Sequence, residues 1–408
     1  MDVRRNRLKI GLVGIGGYGG EYAELLMKEA ESRGVCFAGA VDPAPEASPC
    51  WQDMQEQGIP LFSSLEEFYA HASADLMVIS SPIQFHAEQG ILAMERGSHV
   101  LCEKPLCATV QEATRLLQVR ERTGKLYAVG FQWAYDPAFQ RLKRDVLAGR
   151  LGAPRRLSTL VLWPRDTAYF SRSWAARIRT KDGRWVLDSI ANNAAAHFLH
   201  AMLHLTGRKE ERSARPIQVQ AELYRVNAIE NFDTAAIRVL TEEGGEICFL
   251  ASHAVRDKAG PVFRFEFEEG TVFYDDPEVP QSRDTLWFMH RNGTGIDYGK
   301  PDHRSLKKLW DVVDAIRGKG SVPCPIESAM NHTICVNGAQ ESMREIGTFP
   351  PERIRRTGNP PIVWVEGLAE ALFSCYRKGV LPSDLSIPWA RQGFPVPLDS
   401  YREFPSFL

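Results

Sequence analysis

The apolar run Leu8–Val13 ends directly in "GIGGYG", so a buried strand must turn within a few residues into the mixed stretch that begins at Tyr18. Glycines at 14, 16 and 19 let that turn be tight and keep side chains away from whatever approaches the backbone. A strand, a glycine turn and a helix in this order aim N–H groups at a common point, which favours a pyrophosphate at the helix N-terminus. Gly17 and Tyr18 lie inside the same turn and count among its candidate cofactor contacts. Asp42 closes the next apolar run, "VCFAGAVD", about 20 residues after Gly19, where a dinucleotide motif needs an acid. Its carboxylate would accept from ribose hydroxyls and repel a 2′-phosphate. No arginine follows among Pro43, Ala44 and Pro45, so NAD is favoured over NADP. A bare structural turn is the competing reading of the glycines, and the strand, turn and helix order together with Asp42 argues against it.

Further apolar runs, "DLMVISSP" and "HVLCEKP", alternate with amphipathic stretches of helical length. That alternation predicts βαβ units and a parallel sheet. Later runs such as "IQVQAELYRV", "FDTAAIRVLTEEGGEICFLASHAV" and "PVFRFEFEEGTVFYDD" have period two and Gly-containing turns, as antiparallel strands do. The expected fold class is therefore α/β: an N-terminal Rossmann domain with a doubly wound parallel sheet, then an α+β domain with an open, largely antiparallel sheet. Residues 1–131 are expected to form the NAD-binding domain, 132–345 a substrate and oligomerisation domain, and 346–408 a C-terminal helix and extended tail packed on the body. The length, 408 residues with 44% hydrophobic side chains, is ample for two cores.

A formal net charge of −2 gives no global basic field, which disfavours nucleic acid or an anionic membrane as partner and leaves a small molecule. The eight cysteines contain no C-x-x-C pair and read as buried thiols in a reducing compartment. The N-terminal "MDVRRNR" has twin arginines at Arg4 and Arg5, but no apolar stretch of signal length follows them. A cytoplasmic protein without a membrane span is expected.

Several motifs together resemble the Gfo/Idh/MocA family, named for glucose-fructose oxidoreductase and inositol dehydrogenase. They are the glycine turn, Ser81-Pro82 after the fourth strand, His86 in the helix that follows, Glu103-Lys104-Pro105, and "VGFQWAYDPAFQRLKRDVLAGRLG" at the crossover. The resemblance spans about residues 8–345. It implies that Lys104 sits beside the nicotinamide and helps move a proton on a substrate hydroxyl, that Glu103 lies near the cofactor ribose, and that Ser81, Pro82 and His86 line the cofactor site. Gln132, in the crossover, becomes a candidate substrate contact. The competing reading of "EKP" is a solvated strand end.

The stretch "NNAAAHFLHAMLHLTG" reads as a helix with His197, His200 and His204. Residues 193, 197, 200 and 204 fall at i, i+4, i+7 and i+11 and would share one face. His200 and His204 have the spacing of a zinc pair, but no acid or cysteine follows within the helix to complete a set, so no metal is expected. Aligned on Leu205 and Gly207, the resemblance makes His197 the catalytic base and His200 a substrate contact. It puts Asn193 where an aspartate is usual. An amide can orient an imidazole or a hydroxyl but cannot stabilise imidazolium as a carboxylate would, so His197 is expected to be a weaker base. Asp188 would either restore some charge or cap the helix. His204 reads as structural.

The segment "LWPRDTAYFSRSWAARIRTKDGRWVLDS" is rich in arginine and aromatics. It reads equally well as a contact for a sugar acid, an oxidised polyol or a phosphorylated sugar, with Trp174 and Arg177 as candidates, or as a solvated basic loop over core tryptophans. His253, at a strand end, would face either a cleft or the core. The leading expectation is an NAD-dependent oxidoreductase acting on a secondary hydroxyl of a sugar, cyclitol or sugar acid, working as a homodimer or homotetramer. The alternatives are a redox-neutral enzyme that holds NAD tightly, for epimerisation, elimination or glycoside cleavage, and a catalytically reduced NAD-sensing regulator.

Overall fold

The computed structural model describes residues 7–302 and 306–406. The Arg4-Arg5 pair lies outside them. In chain order the first third gives β1 (Leu8–Val13), α1 (Tyr18–Glu29), β2 (Val35–Val41), α2 (Trp51–Glu56), β3 (Leu61–Phe62), α3 (Leu65–His71), β4 (Leu76–Ile79), α4 (Ile83–Glu95), β5 (His99–Cys102), α5 (Val110–Thr123) and β6 (Tyr127–Val129). The middle gives α6 (Pro137–Leu147), β7 (Pro154–Leu162), α7 (Ala196–Thr206), β8 (Pro216–Arg225), β9 (Thr234–Thr241), β10 (Glu246–Ser252), β11 (Ala259–Phe267), β12 (Gly270–Tyr274), β13 (Leu286–His290) and β14 (Gly295–Gly299). The rest gives α8 (Lys307–Ile316), α9 (Ile326–Ser342), β15 (Gly347–Thr348), β16 (Ile354–Thr357), β17 (Ile362–Val365), α10 (Leu368–Lys378) and β18 (Val396–Pro397).

The chain divides into two compact units. The first takes residues 7–107, Glu112–Gly130 and the segment from Leu306 to Ile326. Its sheet is parallel throughout, in the order β3-β2-β1-β4-β5-β6. The wholly buried run of β4 is what a strand covered on both faces requires. Backbone bonds tie the C-terminal strand ends together, Gly14 N–H to Val41 O (2.8 Å), Ser80 N–H to Val13 O (2.8 Å) and Glu103 N–H to Ile79 O (2.7 Å). The glycine turn, Asp42, Ser81 and Glu103 therefore follow strands that end along one edge, where ligands of such sheets bind.

The second unit takes Ala108–Gln111, residues 131–302 and Glu327 onward. Its sheet runs β14-β13-β12-β11-β7-β10-β9-β8-β15, with β18 pairing β8. Pairing is antiparallel except for β10 with β7 and β15 with β8. Helices α7 and α10 both pack on β7 and β10, and the core collects Phe198, Met202 and Leu205 of α7 against Leu160, Phe249 and Phe263.

The observed division differs from boundaries at 131 and 345. Helix α8 belongs to the first unit because its Leu309, Val312 and Val313 are buried there and Val129 N–H donates to Cys324 O (2.9 Å). The tail beyond 345 is integral to the second unit, where Trp389 packs on Tyr224 and Phe349 (both 5.2 Å between centroids).

Candidate functional site

In the first unit the glycines of the turn divide into two kinds. Gly14 has φ +81°, and a Cβ there would stand 2.8 Å from Ser80 O. A Cβ on Gly19 would stand 1.9 Å from Gly14 O. The fold itself demands glycine at both. Gly16 and Gly17 are exposed, with nothing within 4 Å of a Cβ built on either. Gly17 is the N-cap of α1 and has no side chain to close the helix end. Asp42 accepts from Ile15 N–H and Ala44 N–H (3.0 Å each), which fixes its partly exposed carboxylate beside the turn. A side-chain-free cradle at a helix N-terminus, next to an oriented carboxylate, fits the pyrophosphate and ribose of a dinucleotide.

Two residues expected to line the cofactor are buried in contacts with the protein itself. The Glu103 carboxyl is 7% exposed and accepts from Tyr22 OH (2.8 Å), Lys308 Nζ (2.5 Å) and Lys104 N–H (3.3 Å). Burial pushes this carboxyl up, but the charge and hydrogen bond of Lys308 outweigh that and hold it below the ordinary range. Burial likewise pushes the Lys308 ammonium down, and Glu103 more than compensates, leaving it raised. Glu103 is thus the anion of a buried ion pair. Lys308 was not apparent from sequence, because nothing local distinguishes it from Lys307. Its ammonium also lies 4.8 Å from the ring centroid of Tyr18 and 5.6 Å from that of Tyr22.

His86 is the second of these. It is buried, with Nδ1 2.7 Å from Pro105 O and Nε2 2.8 Å from Ser81 O. Burial holds it below the ordinary histidine range, so it is a neutral strut between the Ser81-Pro82 turn and the Glu103-Lys104-Pro105 loop. Ser81 donates its hydroxyl to Gln89 Oε1 (2.5 Å), and Pro82 starts α4, so both residues shape the turn through the backbone. The Lys104 side chain is partly exposed on the loop that these contacts hold.

In the second unit, α7 begins at Ala196, later than the spacing predicts. Ser189 and Asn192 turn the backbone instead: Asn192 N–H donates to Ser189 Oγ (3.2 Å) and Asn192 Nδ2 to Leu187 O (3.1 Å), local bonds that compete with the helix. Asn193 therefore sits in this turn, partly exposed, and does not share a helical face with the histidines. Asp188 does not cap the helix. The N-cap is Ala195, without a side-chain bond, while the Asp188 carboxylate accepts from Ala176 N–H.

The three histidines separate by burial. His197 is partly exposed, its ring edge-on to Phe131 (6.1 Å, 90°). His200 is fully buried, stacked on Phe131 (4.0 Å, 8°) and on His204 (5.6 Å, 19°). Ser328 Oγ lies 3.4 Å from His200 Nε2 and 3.3 Å from His204 Nδ1. Burial first, and then neighbouring cationic groups, hold both rings well below the ordinary histidine range. His200 is thus a packed neutral ring. Lys143 is buried and donates to the carbonyls of His204, Gly207 (3.4 Å) and Arg212 (2.7 Å), closing the C-terminal end of α7. His332, missed in the sequence, packs against Phe131 (5.1 Å) with Nε2 3.0 Å from Ala191 O. Only its helical context in α9 hinted at burial. Gln132 follows Phe131 in a short turn and is partly exposed. Among the described residues no group of three or more His, Cys, Asp or Glu is placed to hold a metal ion.

The arginine-rich segment also sorts itself. Arg177 donates to Glu230 Oε1 (2.5 Å) and Ser173 O (3.0 Å), a staple across the loop that engages its fork within the protein. The Trp174 ring is covered by the guanidinium of Arg172 at 4.6 Å. His253 is buried, with Nδ1 2.7 Å from Trp163 O, which decides for the core reading.

Residues 8–131 match the family model described as "Oxidoreductase family, NAD-binding Rossmann fold" of Gfo/Idh/MocA type. An inositol 2-dehydrogenase of Corynebacterium glutamicum is 28% identical over 36% of this chain and 42% of its own length. A 4-carboxy-2-hydroxymuconate-6-semialdehyde dehydrogenase of a Sphingobium species is 26% identical over 52% of this chain and 64% of its own. The alignments thus stop short of two thirds of these relatives. Among solved structures, the WlbA dehydrogenase of Bordetella pertussis, in complex with NADH and UDP-GlcNAcA, superposes with a TM-score of 0.67. It covers 82% of this chain and 97% of that one at 20% identity, a likeness of fold.

Proposed function

We infer, for a chain whose residues 8–131 belong to the Gfo/Idh/MocA oxidoreductase family, that the protein is an NAD-dependent oxidoreductase acting on a secondary hydroxyl of a sugar, cyclitol or sugar acid. The observation that carries this reading is the split among the glycines. Packing explains Gly14 and Gly19 and a φ of +54° explains Gly17, whereas the openness of Gly16 at the bare N-terminus of α1 suits a ligand whose phosphates lie against the backbone. Bound NAD supplies the hydride acceptor. The N-terminus of α1 would hold its pyrophosphate, and Asp42 would accept from its ribose hydroxyls. Lys104, the partly exposed cation of its loop, would polarise the substrate hydroxyl. His197, the most accessible ring of its cluster, would take the hydroxyl proton. Asn193 would orient that ring or the substrate without adding charge. The names of relatives, inositol 2-dehydrogenases among them, support a polyhydroxylated substrate.

The test uses the purified full chain with NAD and a panel of polyols, sugars and sugar acids, following the absorbance of reduced nicotinamide. Turnover that Lys104→Ala and His197→Ala each reduce by about 100-fold or more supports the reading. Turnover that survives Lys104→Ala overturns the role given to that residue. Homodimeric or homotetrameric assembly is part of the proposal, with light scattering as its test. No helix among the described residues is long and apolar enough to cross a membrane.

A further inference from the structure

Between β7 and the turn that precedes α7, cations and aromatic rings alternate in one stack. The guanidinium of Arg172 lies 4.2 Å from the Tyr169 centroid and 4.6 Å from that of Trp174. The guanidinium of Arg165 lies 4.9 Å from Tyr169 and 5.9 Å from Trp163, and Lys258 Nζ lies 5.8 Å from Trp163. Stacking engages the faces of the guanidinium groups and leaves their edges to donate. Among the described residues each makes one such contact: Arg165 Nη1 to Pro164 O (3.2 Å) and Arg172 Nε to Tyr169 O (3.1 Å).

Counter-charges set these two arginines apart from their neighbours in the segment. Arg177 has Glu230 (2.5 Å) and Arg184 has Asp182 (3.1 Å). Among the described residues, neither Arg165 nor Arg172 has a carboxylate within 4.0 Å. The acid nearest in sequence, Asp166, instead accepts from Tyr169 N–H (2.9 Å). The field of the pair reaches inward. His253, packed against Tyr169 (5.6 Å), is pushed down to about 3 by burial, by the charges of Arg165 and Arg172 and against the pull of its bond to Trp163 O. Trp163 also packs on Phe198 (5.6 Å), the residue that follows His197 on α7.

We propose that Arg165 and Arg172, held beside Tyr169, Trp163 and Trp174, form an anion subsite for a sugar that carries a carboxylate or phosphate group away from the reacting hydroxyl. Two forks held by packing and without internal counter-ions suit a bidentate oxyanion. The subsite rests on the reading of a hydroxyl-bearing substrate at His197 and narrows it to acidic substrates. Arg177, already engaged by Glu230, takes no part.

The experiment measures binding, so it is independent of turnover. The NAD-saturated full chain is titrated by calorimetry and by tryptophan fluorescence with glucuronate, glucose 6-phosphate, UDP-glucuronate and the neutral methyl glucoside. At least one anionic probe should bind more tightly than methyl glucoside, with affinity falling as salt rises. Arg165→Gln/Arg172→Gln should weaken that probe by roughly tenfold or more while leaving NAD affinity unchanged. Arg172→Lys, which keeps charge but loses the fork, should fall between. The carboxylate and phosphate probes distinguish which oxyanion is preferred. Equal binding of anionic and neutral probes, or an anionic probe bound equally by the double glutamine variant, overturns the subsite. Anion binding without any oxidation would instead leave the subsite standing and overturn the oxidoreductase reading.

Discussion

Replacing Lys308 by methionine isolates the buried pair beneath the Glu103-Lys104-Pro105 loop. The side chains of Lys308 and Glu103 are 1% and 9% exposed and 2.5 Å apart, so the substitution strands a carboxylate with only Tyr22 OH and Lys104 N–H to solvate it. Removing one member of such a pair costs about 3–5 kcal/mol, more than the pair itself contributes, because the remaining charge stays buried. Glu103→Gln/Lys308→Met removes that charge and should recover at least half of the loss. The pH dependence has a definite sign. Glu103 is held below its ordinary range, so its contribution is present above the ordinary carboxylate pKa and is lost as pH falls through the folded value. Lys308 is raised, so its contribution is present below the ordinary lysine pKa and is lost as pH rises through the folded value. The wild-type contribution is therefore flat between about pH 5 and 10. In Lys308→Met, burial without the counter-charge drives the Glu103 carboxyl up, and protonation relieves the strain, so the deficit should narrow from about pH 8 to about pH 5. Urea denaturation, followed by circular dichroism and by loss of nucleotide binding, measures it. A deficit under about 1 kcal/mol, or one that does not narrow in acid, would refute the buried-pair account.

Four other outcomes follow from the same geometry. Gly19→Ala places a methyl 1.9 Å from Gly14 O and should reduce NAD affinity by roughly tenfold or more as the turn is forced open, as read by nucleotide titration. His197→Ala should lower kcat by about 100- to 10,000-fold with stability nearly unchanged. His204→Ala, which empties a buried ring position, should instead cost about 2–4 kcal/mol in denaturation with a much smaller effect on kcat. Asp42→Ala should weaken NAD by roughly tenfold and reduce the preference over NADP, since the loss removes both the ribose acceptor and the repulsion of a 2′-phosphate. Parallel titrations with both nucleotides check it.

What could be read early was whatever depends on near neighbours in the chain. The glycine spacing, the strand runs and Asp42 all lie within one βαβ unit, so their geometry follows from local rules. Asn193 shows the limit of those rules. Its spacing from His197 suited a helix, but Ser189 and Asn192 turned the backbone first. His86 and Glu103 show a different limit, since their positions by the motif are right and their orientation is set by what buries them.

The sequence alone determined the order of strands and helices in the first unit, the strand-turn-helix cradle and the change to period two beyond it, because each rests on backbone sterics and on apolar periodicity. Only the tertiary structure decided which charges have partners. Lys308 finds Glu103 across 205 positions, Glu230 engages Arg177 across 53, and Arg165 and Arg172 have aromatic faces as their neighbours. Whether a cation is neutralised is a matter of distance and burial in three dimensions, and no spacing along the chain carries that information.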